Sequence, residues 1–491
     1  MPNKPVEKVM LENERYKRQE MLWGSEGQAK LGSARVAVVG MDHQGAYAAL
    51  CMASLGIGNL VLIDGGEIKK GQRFLGETLQ PGPRAAAYAA IIRKVNPQVR
   101  IETYQTGLES KIDQCTLTGA NVIVDATNSQ RSKSLAITYA REFKIPVLST
   151  SSKYGYTKTM LCKPENDDPA YLMPMFEGKK QDELMALVMS GIVTEEVRKL
   201  VFNEVESLLK SPVRYRLGNG YRFGFLEENE EVPQIDKERL KNVKIAMFGG
   251  GALTNWGAIA ASLMGFGVVD IYDYDTFEPH NINRQVLGYD GIGNPKATHI
   301  AKKIKAMTHG KTQSTGYNML LTPGFKTEKK YDLVFDMVDN SYTRAVNTAY
   351  ALTNDVPMIS AGALPFAARS ITQVKGKTTC FACIYDIFRK GMEEEMIKRA
   401  SCVSNPNGSV VMSNAIGATM AVIESLTVLS PEAFGEPVNG ELMYRATGAR
   451  RLGFNPLKNA CDCYSKPVPK LEISDEDVKQ FLKENPGALL R

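Results

Sequence analysis

The chain has 491 residues, room for about three domains at roughly 150 residues each. Its apolar fraction of 43% is that of a chain with full cores, and a net charge of +6 from scattered basic residues gives no basis for nucleic-acid binding. No apolar run reaches the roughly 20 residues that a bilayer span requires, and the polar opening MPNKPVEKVMLENERYKRQE is not the pattern of a signal peptide. A cytoplasmic protein is expected, with its eight cysteines serving as ligands or nucleophile rather than in disulfides.

Residues 11 to 31 have helical character and contain RYKRQ, Arg15 to Gln19, which on its own reads as a solvated charge cluster. Residues 35 to 150 alternate apolar strands with small-residue helices, starting from RVAVVGMDHQG. Residues 153 to 242 differ in composition. Two helical patterns, Gln181 to Ser190 and Glu195 to Leu209, end at Ser211-Pro212, and the polar stretch EENEEVPQIDKERLKN reads as a linker.

The most informative stretch is Val243 to Ile304. An apolar strand breaks into Gly249, Gly250 and Gly251, a small-residue helix follows, and a second strand ends at Asp273. Such a turn brings backbone N–H groups and a helix N-terminus up to a phosphate, and an acid about twenty residues on can hold ribose hydroxyls. A tight structural turn uses glycines too. Asn281, Arg284, Gln285 and Lys296 then gather amide and cationic donors within one short span, which suits a triphosphate better than a dinucleotide. No GxxxxGK[ST] sequence precedes them, so ATP is expected to be held without a P-loop. Asp339 ends the next buried strand, YDLVFDMVDN, and is either a magnesium ligand or the N-cap of the helix that follows. His280 reads as a solvated loop residue beside Asn281.

Cysteines carry two further signals. Cys380 and Cys383 form CxxC, Cys461 and Cys463 form CxC, and four thiolates in two close pairs suit a structural tetrahedral zinc; the alternative is unpaired buried thiols. Cys402 stands apart, in a loop before a small-residue helix, and reads as a nucleophile or as a buried structural thiol. Cys51 and Cys115 read as core. The tail holds SDEDVKQFLKEN, a capped helix with acids in its first turn.

The two strand-and-helix regions are copies of one plan, about two hundred residues apart. RVAVVGMDHQGAYAALCMASLGIGNLVLIDGGEI parallels VKIAMFGGGALTNWGAIAASLMGFGVVDIYDYDTF, and the later segments match in order. The first copy lacks the chemistry: Asp42 replaces the second glycine, KKGQRFL shortens the NxxRQ cluster, and Thr127 is read as the counterpart of Asp339. A carboxylate facing a phosphate repels it, so this copy is expected not to bind ATP.

The ordered set Gly249, Gly251, Asp273, NINRQ, Lys296 and Asp339 resembles the adenylating domain of ubiquitin-activating enzymes and the ThiF/MoeB-type adenylyltransferases. The resemblance implies adenylation of a partner protein's C-terminal glycine by Mg-ATP. It places Asp273 on ribose, Asn281, Arg284, Gln285 and Lys296 around the phosphates, and Asp339 on magnesium. RYKRQ matches the RYxRQ motif of the same superfamily, implying that Arg18 reaches across an interface to the phosphates of the other domain. Cys402 resembles the loop cysteine over the ATP site in those enzymes. Thr254 departs from the pattern, standing in place of a third glycine that serves helix packing.

The expected architecture is therefore α/β: two tandem Rossmann-like, doubly wound domains forming an intrachain pseudo-dimer, with a helical insert and a zinc-clipped C-terminal region. Its expected parts are an inactive domain over 1–152, the insert and linker over 153–242, an active domain over 243–464 and a tail over 465–491. The expected activity is ATP-dependent activation of a ubiquitin-like protein, followed by thioester formation on Cys402 and transfer to a conjugating enzyme, in a chain whose intrachain pseudo-dimer allows a monomer and leaves open whether it pairs again. Alternatives are an adenylyltransferase that stops at the acyl adenylate of a sulfur carrier or ribosomal peptide, a nicotinamide-dependent oxidoreductase, and a nonenzymatic adaptor. No nucleic-acid or membrane partner is expected.

Overall fold

The computed structural model describes residues 14–163, 176–218, 222–223, 231–401, 407–448 and 450–485. In the first half, helix α1 (Lys17–Ser33) leads into β1 (Arg35–Val39), α2 (His43–Leu55), β2 (Asn59–Ile63), α3 (Arg84–Val95), β3 (Arg100–Tyr104), β4 (Val122–Asp125), α4 (Gln130–Phe143), β5 (Val147–Lys153) and β6 (Tyr156–Cys162). Helix α5 (Glu183–Phe202) and β7 (Val213–Arg216) complete it. The main sheet runs β7-β6-β5-β4-β1-β2-β3, parallel from β5 to β3 and antiparallel at β5-β6-β7.

The second half repeats the order with β8 (Lys244–Phe248), α6 (Ala252–Met264), β9 (Val268–Tyr272), α7 (Lys296–Met307), β10 (Gly316–Tyr317), β11 (Leu333–Asp336), α8 (Ser341–Thr353), β12 (Met358–Leu364) and β13 (Ala367–Gln373). Helices α9 (Ile387–Ser401) and α10 (Val411–Leu429) follow, then the β14 (Gly440–Arg445) and β15 (Leu452–Pro456) hairpin and the tail helix α11 (Asp475–Glu484). Its sheet runs β10-β9-β8-β11-β12-β13-β14-β15. In both halves the central strand ends opposite an aspartate, Val39 against Asp125 and Phe248 against Asp336. Each is buried and bound to a cation eight residues on, Lys133 Nζ at 3.1 Å and Arg344 Nη1 at 2.7 Å, which locks the last turn of the strand to the following helix.

Residues 153–242 differ from the expected helical insert. The two helical patterns form one helix, α5, flanked by β6 and β7, so the segment belongs to the first sheet and to the contact between the halves. The break expected between Ser190 and Glu195 is absent, Gly191 to Thr194 being buried in the helix, and the charges that follow are paired inside the protein: Arg198 Nη2 with Glu195 Oε1 at 2.8 Å, and Lys199 Nζ with Glu196 Oε1 at 2.5 Å. Lys199 also donates to the carbonyl of Ala446 in the other half. Paired, hydrogen-bonded charges tolerate burial where isolated ones do not.

The halves meet through α2 and α5 of one and α6 and α10 of the other, and a single apolar core runs across the seam. Small side chains allow this. Helix α2 is buried from Gln44 to Leu55, and Gly191 of α5 lies so close to α10 that a Cβ would stand 2.6 Å from Met412 O. Helix α10 is, among the described residues, the one helix long and apolar enough to cross a membrane, and nearly all of it is buried in this seam. Gly191→Ala is expected to cost about 1–3 kcal/mol through overpacking, measured as a loss of unfolding free energy in denaturant titration.

Candidate functional site

The glycine turn after β8 is built for close approach. Gly249 has φ +97°, and a Cβ there would lie 2.9 Å from Met337 O. At Gly250 a Cβ would meet Asp273 Cβ at 2.9 Å and Lys296 Cβ at 3.0 Å. Gly251 caps α6 and faces open space, with no atom within 4 Å of where its Cβ would be. Thr254, in place of the third glycine, is fully buried and donates its hydroxyl to Gly249 O, so it braces the turn.

Asp273 accepts from Gly250 N (2.5 Å) and Asp275 N (2.7 Å). Burial raises its pKa, opposed by Lys296 and the two backbone donors. Lys296, the first residue of α7, is buried and holds Asp275 at 3.0 Å. Beside Asp273, Tyr274, Met319 and Leu320 are exposed apolar side chains, the latter pair following β10, whose Tyr317 O accepts Asp273 N at 3.1 Å.

Residues 278–288 are held as a rigid shelf. Asn281 Oδ1 accepts Glu278 N in a reciprocal cap. Trp256 of α6, fully buried, donates to Arg284 O at 3.1 Å, and Asn255 Oδ1 accepts Leu287 N at 2.9 Å. The Arg284 guanidinium donates to His280 O (2.8 Å) and Asn283 Oδ1 (2.7 Å). Burial and the charge of Arg18 bring its pKa down to about 10, against the pull of Asp339. Gln285 Oε1 is buried without a hydrogen-bond partner among the described residues. His280 departs from the expected solvated position: it is only partly exposed, and burial lowers its pKa, aided by Arg18, Arg284 and Lys296 against Glu278. Arg18, Arg284 and Lys296 thus act electrostatically on one spot.

RYKRQ explains how Arg18 comes there. Arg15 Nη1 donates to Val95 O at 3.0 Å, Asn96 Nδ2 donates to Tyr16 Oη at 2.6 Å, and Gln19 Nε2 donates to Leu55 O at 2.6 Å, all within the first half. Ser409, just before α10, donates its amide to Arg18 O at 3.1 Å. Asp339 is exposed and, unlike the expectation that it ends the strand, lies in the loop three residues past β11, whose pairing stops at Asp336. Asn340, and not Asp339, caps α8, accepting Thr343 N at 2.8 Å, which leaves the Asp339 carboxylate free of that duty. Cys402 lies outside the described residues.

The first half keeps the scaffold and loses the cleft. Asp64 repeats the part of Asp273, accepting from Met41 N and Gly66 N at 2.6 Å each. Asp42 has φ −72° and ψ −167°, almost the backbone of Gly251 at −76° and −159°. Gln181 accepts Gln44 N at 2.8 Å, an amide of the first turn of α2, and donates to Ala126 O at 2.6 Å. The segment KKGQRFL serves the seam, where Arg73 donates to Ala306 O at 2.6 Å. One expected correspondence shifts by a residue: with Asp125 matching Asp336 in register and Ser129 matching Asn340 as helix cap, Asn128 and not Thr127 is the counterpart of Asp339. Asn128 spends its amide on Ser152 O and Lys179 O. Cys51 is buried as expected, whereas Cys115 is exposed on the short helix Lys111–Leu117, which offers too little apolar surface to cover it.

Cys380, Cys383, Cys461 and Cys463 come together with their Sγ atoms all within 4.8 Å of one another. A tetrahedral zinc with bonds of about 2.3 Å sets its sulfurs roughly 3.8 Å apart, so the donor set fits. Cys380 precedes a short helix, Phe381–Tyr385, that leads to α9, and Cys463 precedes the tail, where Leu471 O accepts the Tyr342 hydroxyl of α8.

Gln19, Asn283, Gly250 and Gln181 were not singled out as site residues by sequence reasoning. Gln19 stands inside the quoted motif and Asn283 inside NINRQ, so only the contact between the motifs was hidden.

A comparison of the whole chain matches the ThiF family over residues 16–217 and 226–463, and the chain belongs to that family. It is 30% identical over 157 residues to the SUMO-activating enzyme subunit 2 of Dictyostelium discoideum, covering 31% of this chain and 24% of that protein. It is 26% identical over 273 residues to the ubiquitin-like modifier-activating enzyme 5 of Oryza sativa subsp. japonica, covering 51% of this chain and 60% of that protein. The chain thus spans less than two thirds of either relative. Among solved structures, Escherichia coli MccB with ATP is similar at 18% identity and a TM-score of 0.38, over 46% of this chain and 67% of that one.

The purified protein is expected to carry one zinc per chain by elemental mass spectrometry, and Cys383→Ala to lose it together with several degrees of Tm.

Proposed function

We propose that the second half binds Mg-ATP and adenylates the C-terminal glycine of a ubiquitin-like protein. The observation that carries this reading is the open glycine turn at the N-terminus of α6 with Asp273 and Lys296 beside it, and the buried Arg284 on which the charges of Arg18 from the other half and of Asp339 act. Buried like charges destabilise one another unless an anion answers them, and a triphosphate does so. Gly251 leaves the N-terminus of α6 open to the phosphates. Asp273 keeps acceptor capacity for ribose hydroxyls, and Tyr274, Met319 and Leu320 offer the base an apolar lip. Asn281 and Gln285 bring side-chain amides to the same shelf, and Asp339 would hold magnesium, whose chemistry is to neutralise the phosphate charge.

In this mechanism a glycine carboxylate oxygen attacks the α-phosphorus. The bond from that phosphorus to the bridging oxygen of pyrophosphate breaks, giving the acyl adenylate and pyrophosphate. Arg18, Arg284 and Lys296 stabilise the charge that builds on the leaving group. In the full reading the Cys402 thiolate then attacks the acyl carbon, AMP leaves, and the thioester passes to a conjugating enzyme. Membership of the ThiF family over both halves and the names of the relatives support the first step.

Two experiments test the reading. Gly251→Asp copies the first half at a position with compatible backbone and open space, so Tm is expected to hold while ATP affinity in calorimetry falls at least about tenfold; unchanged affinity would count against the site. Intact-mass analysis with Mg-ATP and a ubiquitin-like protein ending in glycine, alongside pyrophosphate release, is expected to show a thiol-sensitive adduct in wild type and none in Cys402→Ala. Pyrophosphate release without an adduct in either would leave the acyl adenylate as the product.

A further inference from the structure

The last residue of RYKRQ has no part in the reading above, yet it is fully buried and touches the second half. Gln19 Oε1 accepts Asn283 Nδ2 at 2.9 Å. The other end of the Gln19 amide is fixed by Leu55 O and Gln28 Oε1, both at 2.6 Å. Asn283, also fully buried, turns its Oδ1 to Arg284 Nη1 at 2.7 Å. A continuous line of hydrogen bonds therefore runs from the backbone of α2 in the first half, through Gln19 and Asn283, to the Arg284 guanidinium in the second.

We infer that Gln19 and Asn283 are positioning residues for Arg284, so that the first half acts on the nucleotide site by two routes: the charge of Arg18 and the orientation of Arg284. The amide chemistry gives the line a direction. With Gln19 Nε2 committed to two acceptors, its oxygen faces Asn283, which obliges Asn283 to offer Nδ2 there and Oδ1 to Arg284. A reversed Asn283 amide would set two oxygens against each other and two donors against each other. Among the described residues the Arg284 guanidinium has one other acceptor, His280 O, which leaves it free to pivot when Asn283 is lost. Misplacement of a charge by about 1 Å costs on the order of 100-fold in rate.

This inference rests on the adenylation reading, and its test separates the two. ATP–pyrophosphate exchange in the presence of a ubiquitin-like protein ending in glycine is measured for wild type, Gln19→Leu, Asn283→Ala, the double variant and Asn283→Asp, with Tm for each. Each single variant is expected to lower kcat about 10- to 100-fold with KM for ATP within about threefold, and the double variant to be no worse than the more damaged single one. Asn283→Asp keeps an acceptor for Arg284 but cannot donate to Gln19, so it is expected to behave like Gln19→Leu. Additive losses, or variants with lowered Tm and wild-type kcat, would overturn the relay. The position of the Arg284 guanidinium in crystals of Asn283→Ala decides independently of activity: displacement is expected, and an unmoved guanidinium overturns the inference. A wild type without exchange or ATP binding would defeat the adenylation reading alone, and the crystals would still judge the relay.

Discussion

Like charges do not stay together unless the surroundings hold them, and this protein holds Arg18 near Arg284 at the junction of its halves. The junction supplies the force. A shared apolar core across α2, α5, α6 and α10 fixes the relation of the two sheets, and the backbone of the RYKRQ helix is pinned to the first half by Arg15, Tyr16 and Gln19. Electrostatic repulsion at the site is thus borne by hydrophobic contacts some distance from it. A cluster built this way is preorganised: its cost is met during folding and need not be met again when an anion arrives.

The duplication shows how little separates a working cleft from a closed one. Both halves keep the strand-turn-helix unit, the acid that gathers the loop amides, and the buried aspartate with its cation eight residues on. The first half differs in having a carboxylate where the turn should be bare and a glutamine on the amide that would face a phosphate. Several of its polar groups serve the fold. Arg73 braces α7, and Asn128 ties down the segment before α5.

Much of this was legible in the sequence because it is local. Gly249 to Gly251, Asp273, Lys296 and the repeat at two hundred residues are each set by chain-neighbour geometry. The failures are tertiary. The α5 pattern looked interrupted between Ser190 and Glu195, since no sequence window shows that Gly191 lies against Met412 O of α10. Thr127 was matched to Asp339 by proximity along the chain, while strand register and helix caps select Asn128. Cys115 looked apolar and proved exposed. Gln19 and Asn283 stood in plain view within two motifs, but a hydrogen bond between residues 264 positions apart leaves no trace in either.

The amide of Gln44 closed by Gln181 has a further consequence. A symmetric dimer of such domains would present two equal clefts, and binding at one could alter the other. Here Gln181 takes up an amide at the turn of the first half, so the two halves present unequal surfaces to a ligand. On the proposed function one chain carries one nucleotide site, and its saturation curve is hyperbolic. The same asymmetry removes the need for the two outer faces to match, so that each face is free to diverge without spoiling the other.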